Sequence, residues 1–227
     1  MNFFKNLVFC INILILNLNS VTANQNSIDN PNAITIPEPQ VDEEFFKEEF
    51  KTLFVLQNSR TVEECELAAE QSMPLFKNLY LNKRSPRIKK FELKEKTLLK
   101  ALMSSALIYA ESYSTNFKEK YKRLRPYVMS SQVKPCISKP QGSYSYPSYH
   151  AVAGAITSCL LMDIYPEYSN AFRDYGIKIG YLRNIGGVHF PSDVKVGYKL
   201  GIDLCHKYIQ DSVYKKLFSK IKKEISK

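Results

Sequence analysis

The chain has 227 residues, of which 44% are hydrophobic and 24% are charged, and its formal net charge is +10. This composition excludes an intrinsically disordered chain, and the length allows one domain with a sizeable core. The excess of basic over acidic residues favours an anionic partner. Phosphorylated substrates, nucleic acid and anionic membrane surfaces all satisfy that condition, and charge alone does not separate them.

Residues 1–23 have the order of a secretory signal peptide. Lys5 supplies a positive charge, residues 7–18 are mostly apolar, and residues 21–23 (Val-Thr-Ala) offer small side chains for cleavage. The apolar run is short for a membrane span. An uncleaved anchor and a buried helix are the alternatives. We expect the signal peptide to be cleaved and the mature chain to be periplasmic or secreted. We also expect no membrane span in the mature chain, since no later segment has 18 consecutive apolar residues.

Residues 24–41 are polar and contain three prolines. Such a segment predicts an extended leader that lies on or ahead of the folded domain, which we place at residues 42–227. Four cysteines follow the signal segment, at positions 65, 136, 159 and 205. They allow two disulfides in any of three pairings, whereas Cys159 and Cys205 fit buried thiols equally well.

From residue 42 onward the hydrophobic pattern is helical. Thr61, with Glu64 three residues later, predicts a capping box at the start of one helix. Apolar side chains recur at helical spacing in four segments, at 45–54, 98–110, 151–162 and 194–209. No alternation of period two persists long enough for a sheet. The sequence therefore predicts an all-α fold, a single compact helical bundle, with a solvated lysine-rich face near its C-terminus.

The first polar constellation is Lys118-Glu-Lys-Tyr-Lys-Arg-Leu-Arg125-Pro126. Lys118 and Arg125 are seven residues apart, so we expect them on one face of a helix that Pro126 ends. Two cations on one face hold a phosphate, Arg as a bidentate fork and Lys as a point charge. Taken alone, the segment fits a basic solvated helix or a nucleic-acid patch equally well.

The second constellation ends with Pro147-Ser148-Tyr149-His150, directly before the apolar segment at 151–162. A serine and backbone N–H groups at a helix N-terminus form an anion site. His150 at that place is suited to donate a proton to a leaving oxygen at mildly acidic pH. A turn with a capping serine is the plainer interpretation.

The third constellation runs from Arg183 through His189 to Asp193. If a helix starts near Pro191, Asp193 in its first turn reaches back to His189. A carboxylate on one ring nitrogen fixes the tautomer and prepares the other nitrogen for nucleophilic attack. The alternative is a capping aspartate beside a core histidine.

Together the three segments resemble Lys-x6-Arg-Pro, Pro-Ser-Gly-His and Ser-Arg-x5-His-x3-Asp. This is the signature of the type 2 phosphatidic acid phosphatase (PAP2) superfamily, which includes vanadate-dependent haloperoxidases. Residues 118–126, 145–148, 164–167 and 189–194 are most similar to class A bacterial nonspecific acid phosphatases. The resemblance covers roughly residues 37–210.

The resemblance implies a role for each matching position. His189 would attack phosphorus, Asp193 would orient it, and His150 would protonate the leaving alcohol. The phosphate oxygens would be bound by Lys118, Arg125, Ser148, Tyr149 and Arg183. Tyr149 replaces the glycine of the signature. Its backbone N–H remains available to the phosphate, while its ring would reshape the opening of the substrate site. Leu182 replaces the serine before Arg183.

We therefore expect an exported acid phosphatase that acts on small phosphate esters through a phosphohistidine, with no metal or other cofactor. Nucleic acid is not expected as a partner, and a homo-oligomer is compatible with the sequence. A phosphate-binding protein with weak or no turnover remains an alternative, as does a diphosphohydrolase or phosphotransferase. A vanadate haloperoxidase and a membrane-spanning lipid phosphatase fit the sequence less well.

Overall fold

In a computed structural model, which describes residues 34–80, 97–140 and 142–225, every regular element is helical. This confirms the all-α prediction. The predicted signal peptide lies outside the described residues. The α-helices are α1 Glu43–Ser59, α2 Val62–Glu70, α3 Phe76–Tyr80, α4 Thr97–Tyr121, α5 Pro126–Met129, α6 Tyr149–Ile164, α7 Ser169–Ile185, α8 Pro191–Ile209 and α9 Ser212–Ile225.

The N-terminal helices begin where the sequence places capping residues. Asp42 accepts from the backbone N–H of Phe45 at 2.8 Å at the start of α1. The predicted capping box of α2 is confirmed, because Thr61 and Glu64 each accept from the other's backbone N–H. Such caps satisfy N–H groups that have no partner within the helix. Ile36 begins the compact unit that extends to Lys227.

The helix that carries Lys118 ends earlier than predicted. α4 stops at Tyr121, and Lys122 adopts the left-handed backbone region with a φ of 47°. Arg125 is the N-cap of α5, and Pro126 begins that helix instead of ending the previous one. The prediction that Lys118 and Arg125 share one helix face is therefore wrong. A sharp turn, and not helical periodicity, brings Arg125 to the site.

Helix α6 is the central element, as its apolar sequence predicts. It packs against α4, α7 and α8, and almost its whole length is buried. α8 approaches α6 closely at Gly197, where an added Cβ would lie 2.5 Å from the backbone oxygen of Ser148. The backbone N–H of Ser148 donates to the Asp193 carbonyl at 3.0 Å. This contact sets the start of α6 against the first turn of α8.

Two disulfides tie the helices together, Cys65–Cys136 and Cys159–Cys205. The first joins α2 to the loop that precedes α6, and the second joins α6 to α8. Helix α9 turns Tyr214 and Ile221 inward, while most of its lysines face solvent. Within the described ranges, no helix combines the length and the apolar character that a bilayer crossing requires.

Candidate active site

A cavity of about 250 Å³ opens at the N-terminal end of α6. Six of the eight predicted site residues line it: Lys118, Arg125, Tyr149, His150, Arg183 and His189. Ser148 and Asp193 lie in the layer behind the lining and are fully buried. Three segments far apart in sequence therefore meet in one place. The start of α6 adds the partial positive charge of a helix N-terminus.

Lys118 reaches the cavity from the last turn of α4. Its side chain is buried, and Nζ donates to the Tyr144 carbonyl oxygen at 2.6 Å. Burial, followed by the nearby charge of Arg125, lowers the pKa of Lys118 to about 7. A buried ammonium without a paired carboxylate is expensive, because the charged form loses its hydration. Such a group gains most when an anion binds beside it.

Arg125 is held almost entirely by backbone carbonyls. Its Nε donates to Ser143 O and its Nη1 to Val188 O, both at 2.9 Å. Nη1 also lies 3.1 Å from Nε2 of His189. A guanidinium only donates hydrogen bonds, so Nε2 of His189 accepts and carries the lone pair. Burial lowers the pKa of Arg125, which nevertheless remains a cation.

Arg183 projects from the end of α7 and is buried. Its Nη2 donates to the backbone oxygen of Ala68, at the end of α2. Nε of Arg183 and the hydroxyl of Ser148 are buried and have no hydrogen-bond partner among the described residues. Buried polar groups are nearly always hydrogen-bonded, and Arg183 also lines the cavity, so its Nε marks a place for a bound ligand.

Tyr149 lies where the family signature has glycine. Its ring lines the cavity, and its hydroxyl donates to the Leu107 carbonyl oxygen at 3.0 Å. The side chain therefore spans from α6 to α4 beside the opening. The Tyr149 ring thus borders the cavity, as the sequence predicts, and its hydroxyl also fixes it to α4.

His150, the second residue of α6, is half-buried at the cavity wall. Its Nε2 lies 2.9 Å from Gln71 O and 3.2 Å from Ser72 O. Carbonyl oxygens only accept, so Nε2 carries the hydrogen and Nδ1 is the nitrogen that titrates. Burial lowers the pKa of His150 well below its ordinary value, and the charge of Arg183 acts in the same direction.

His189 and Asp193 form the pair that their spacing predicts. Nδ1 of His189 donates to Oδ2 of Asp193 at 3.3 Å, and the same oxygen accepts from the Phe190 N–H at 2.8 Å. Burial, then the charges of Arg125 and Lys118, lower the pKa of His189 well below its ordinary value. The imidazole is therefore neutral, with its hydrogen on Nδ1 and its lone pair on Nε2, where it accepts from Arg125 Nη1.

Three further residues support this pair and were not predicted. Asn184 donates from Nδ2 to the His189 carbonyl oxygen at 2.9 Å. Arg123 donates to the second oxygen of Asp193 at 2.8 Å, and Glu49 lies behind Arg123. Arg123 stands within the first constellation, between Lys118 and Arg125, and its burial has no local signature. Glu49 interrupts the apolar spacing of α1, which is the one signal that indicates its burial.

The arrangement is suited to a phosphate group. Three buried basic side chains, Lys118, Arg125 and Arg183, line the same cavity as a neutral imidazole, His189, and a second histidine, His150. In phosphoryl transfer, fixed positive charge stabilises the negative charge on the phosphoryl oxygens. In the described part of the chain, no group of three or more His, Cys, Asp or Glu side chains is placed to bind a metal ion.

Comparison with known proteins agrees with this geometry. The chain matches the PAP2 superfamily over residues 97–215, a range that includes every predicted site residue. A non-specific acid phosphatase of Salmonella typhimurium (strain LT2) is 26% identical over 133 residues, which cover 57% of this chain and 52% of that protein. The chain thus spans about half the length of this curated relative.

Three solved structures share the fold. A bacterial vanadium-dependent iodoperoxidase has a TM-score of 0.59 at 18% identity, over 79% of this chain and 52% of that one. A transmembrane PAP2-type phosphatidylglycerolphosphate phosphatase from Bacillus subtilis has a TM-score of 0.52 at 20% identity, covering 79% and 89%. Aquifex aeolicus LpxE has a TM-score of 0.54 at 19% identity, covering 78% and 100%. These identities are low, so the likeness shows the fold alone.

Proposed function

The chain belongs to the PAP2 superfamily, and on that premise we propose that it is an exported, metal-independent acid phosphatase that hydrolyses phosphate monoesters through a phosphohistidine. One observation carries the proposal. His189 lines a cavity together with three buried basic residues, Lys118, Arg125 and Arg183, and Nε of Arg183 has no hydrogen-bond partner among the described residues. A phosphoryl group with three acceptor oxygens satisfies such a site.

The first step forms the covalent intermediate. Nε2 of His189 attacks phosphorus as the bond from phosphorus to the ester oxygen breaks, and the alkoxide takes a proton from His150. Asp193 accepts the Nδ1–H of His189 at 3.3 Å and stabilises the positive charge that the ring gains. Lys118, Arg125 and Arg183 neutralise the phosphoryl oxygens. No metal is required for that neutralisation.

The second step hydrolyses the intermediate. His150 is neutral once it has given up its proton, and it takes a proton from the attacking water as the bond between phosphorus and His189 breaks. The site then holds inorganic phosphate and both histidines in their starting states. Burial, and after it the charge of Arg183, lowers the pKa of His150 in the free protein, and a bound phosphate dianion raises this pKa because it offsets the charge of Arg183. Activity is therefore expected at mildly acidic pH.

Export is part of the proposal. The two disulfides support it, because structural disulfides form and persist in oxidising compartments outside the cytoplasm. The predicted signal segment, residues 1–23, gives the route. Sequencing the N-terminus of the exported protein tests this point. A mature chain that begins near Asn24 agrees with the proposal, and retention of the chain in the cytoplasm contradicts it.

The decisive experiment concerns the nucleophile. We expect phosphate release from p-nitrophenyl phosphate by the wild type, trapping of phosphohistidine on His189 under acid-free quenching, and loss of turnover in His189→Ala. His206→Ala is the matched control, since His206 is the third histidine of the chain and is exposed on α8. Full activity in His189→Ala contradicts the mechanism, and a wild type without phosphate release contradicts the function.

A further inference from the structure

Arg123 is a buried cation that takes no part in the cavity lining. Its guanidinium donates from Nη1 to Asp193 Oδ1 at 2.8 Å and to Ser192 Oγ at 2.7 Å. Its Nη2 lies 3.6 Å from Oε2 of Glu49. The side chain is 4% exposed. Arg123 therefore connects two buried carboxylates, one of which is hydrogen-bonded to His189.

Aromatic rings fix the plane of this guanidinium. Its carbon lies 4.4 Å from the ring centroid of Phe190 and 5.0 Å from that of Phe46. The two rings also contact each other, with centroids 5.4 Å apart. Guanidinium groups stack on aromatic faces, and their planar fork directs two nitrogens at once. In this plane Nη1 is hydrogen-bonded to Asp193, and Nη2 forms an ion pair with Glu49 at 3.6 Å without a hydrogen bond.

Glu49 fixes the same region from the opposite side. It projects from α1, and its Oε2 accepts from Ser192 Oγ at 2.6 Å and from Ser192 N at 3.2 Å. Ser192 lies in the first turn of α8, directly before Asp193. Glu49 thus holds the backbone of the turn that carries Asp193, while it also balances the charge of Arg123.

The consequence for His189 follows from the two oxygens of Asp193. Oδ1 is occupied by Arg123, which leaves Oδ2 for the Phe190 N–H and for Nδ1–H of His189. Without Arg123, Asp193 would be a fully buried carboxylate facing Glu49, and burial would drive it to bind a proton. A protonated or rotated carboxyl no longer holds the hydrogen of His189 on Nδ1.

We propose that Arg123 and Glu49 are positioning residues: Arg123 keeps Asp193 ionised and oriented, and Glu49 holds Arg123 and the turn at Ser192 in place, so that His189 presents its Nε2 lone pair to the phosphoryl group. This proposal rests on the proposed function for its catalytic consequence. The structural part, the tautomer of His189, stands independently of turnover. With one positive and two negative charges, the Glu49–Arg123–Asp193 group leaves a single net negative charge beside the imidazole.

Histidine-labelled protein allows a direct test, because the chain has only three histidines. We compare wild type with Glu49→Gln, Arg123→Lys and Arg123→Met by ¹⁵N spectra of the rings, in which His189→Gln assigns the signal. Glu48→Gln is the control, since Glu48 is the exposed neighbour on α1 and its side chain forms an ion pair with Lys51 at the surface. Wild type and Glu48→Gln should show the hydrogen of His189 on Nδ1.

In Glu49→Gln and Arg123→Lys we expect a mixture of His189 tautomers and a kcat lowered about tenfold or more, the usual effect of losing a residue that orients a functional ligand. Inhibition by sulfate should stay within about twofold of wild type, because the cavity cations are untouched. Arg123→Met should lose more activity than Arg123→Lys, which retains the charge. If Arg123→Met does not fold, the two milder variants carry the test.

An unchanged His189 spectrum in folded Glu49→Gln and Arg123→Lys overturns the proposal, whatever happens to kcat. A changed spectrum with unaltered kcat in an active enzyme overturns it as well. The spectra require no turnover, so a wild type that releases no phosphate refutes the proposed function alone and leaves the positioning role to be decided by the tautomer.

Discussion

Anion binding should weaken as the pH rises through 7, because Lys118 loses its proton there. Burial lowers its pKa to about 7, against an ordinary value of 10.5. If the site binds an anion only with Lys118 charged, the charged fraction falls from about 0.9 at pH 6 to about 0.1 at pH 8. The dissociation constant should therefore rise about tenfold between these two values.

Sulfate is the suitable probe, because its charge is constant over this range whereas that of phosphate is not. Calorimetric titration gives the dissociation constant at each pH. Repeating it in buffers of different ionisation enthalpy gives the protons taken up on binding. We expect uptake of about 0.9 proton per site at pH 8 and about 0.1 from Lys118 at pH 6. Lys118→Arg should bind without the inflection near pH 7, since arginine stays charged.

A dissociation constant that changes less than twofold between pH 6 and pH 9 would refute this reasoning. An inflection of the same size in Lys118→Arg would also refute it, because the titrating group would then lie elsewhere. His150 and His189 do not produce the inflection in the free protein, since the pKa of each is lowered well below 6.5. Matching melting temperatures for the two proteins exclude misfolding of the variant.

Three further predictions follow from the same site. Dialysis against EDTA should leave kcat unchanged, and activity that is lost to EDTA and restored by a divalent ion contradicts this expectation. Vanadate should inhibit, because vanadate adopts the five-coordinate geometry of the attacked phosphorus. Tyr149→Gly should raise kcat/KM for a sugar phosphate relative to kcat/KM for glycerol phosphate. Tyr149→Phe keeps the ring and should keep the wild-type ratio of these two values. If the ratio is the same in both variants, Tyr149 has no role at the opening of the cavity. Replacing Cys65 and Cys136 by serine should lower the free energy of unfolding by about 4 kcal/mol. The affinity for sulfate should also weaken, because Cys65 lies in α2, whose Ala68 carbonyl oxygen holds Arg183. The double serine variant of Cys159 and Cys205 should lose similar stability but bind sulfate with the wild-type affinity. If the affinity for sulfate weakens equally in both double variants, the first disulfide has no specific link to the site.

The sequence predicts those parts of the fold that depend on short-range spacing. The capping box at Thr61, the apolar character of α6, and the contact of His189 with Asp193 all involve residues within one or two helical turns. Each is fixed by the local backbone once the helix exists. The end of α4 was misplaced because helical spacing from Lys118 to Arg125 persists in the sequence even though the chain turns at Lys122.

The parts of the site that escaped prediction depend on long-range contacts. Glu49 and Ser192 are 143 residues apart in sequence, and no periodic pattern relates them. The groups that hold the cations are backbone carbonyls. Every residue has one, so the residue types in the sequence do not predict which carbonyls bind the cations. Ala68 and Tyr144 are examples, since their carbonyl oxygens accept from Arg183 and Lys118.

Arg123 and Arg125, two residues apart, show how the fold assigns opposite roles to the same side chain. Arg123 faces Asp193 and Glu49, so its charge is neutralised and its contribution is orientation. Arg125 donates to the carbonyl oxygens of Ser143 and Val188, which satisfy its N–H groups without cancelling its charge. Uncancelled charge in a buried site is costly to fold and is available to an anion. The cations that we propose to bind phosphate are therefore the ones whose partners are carbonyls and not carboxylates.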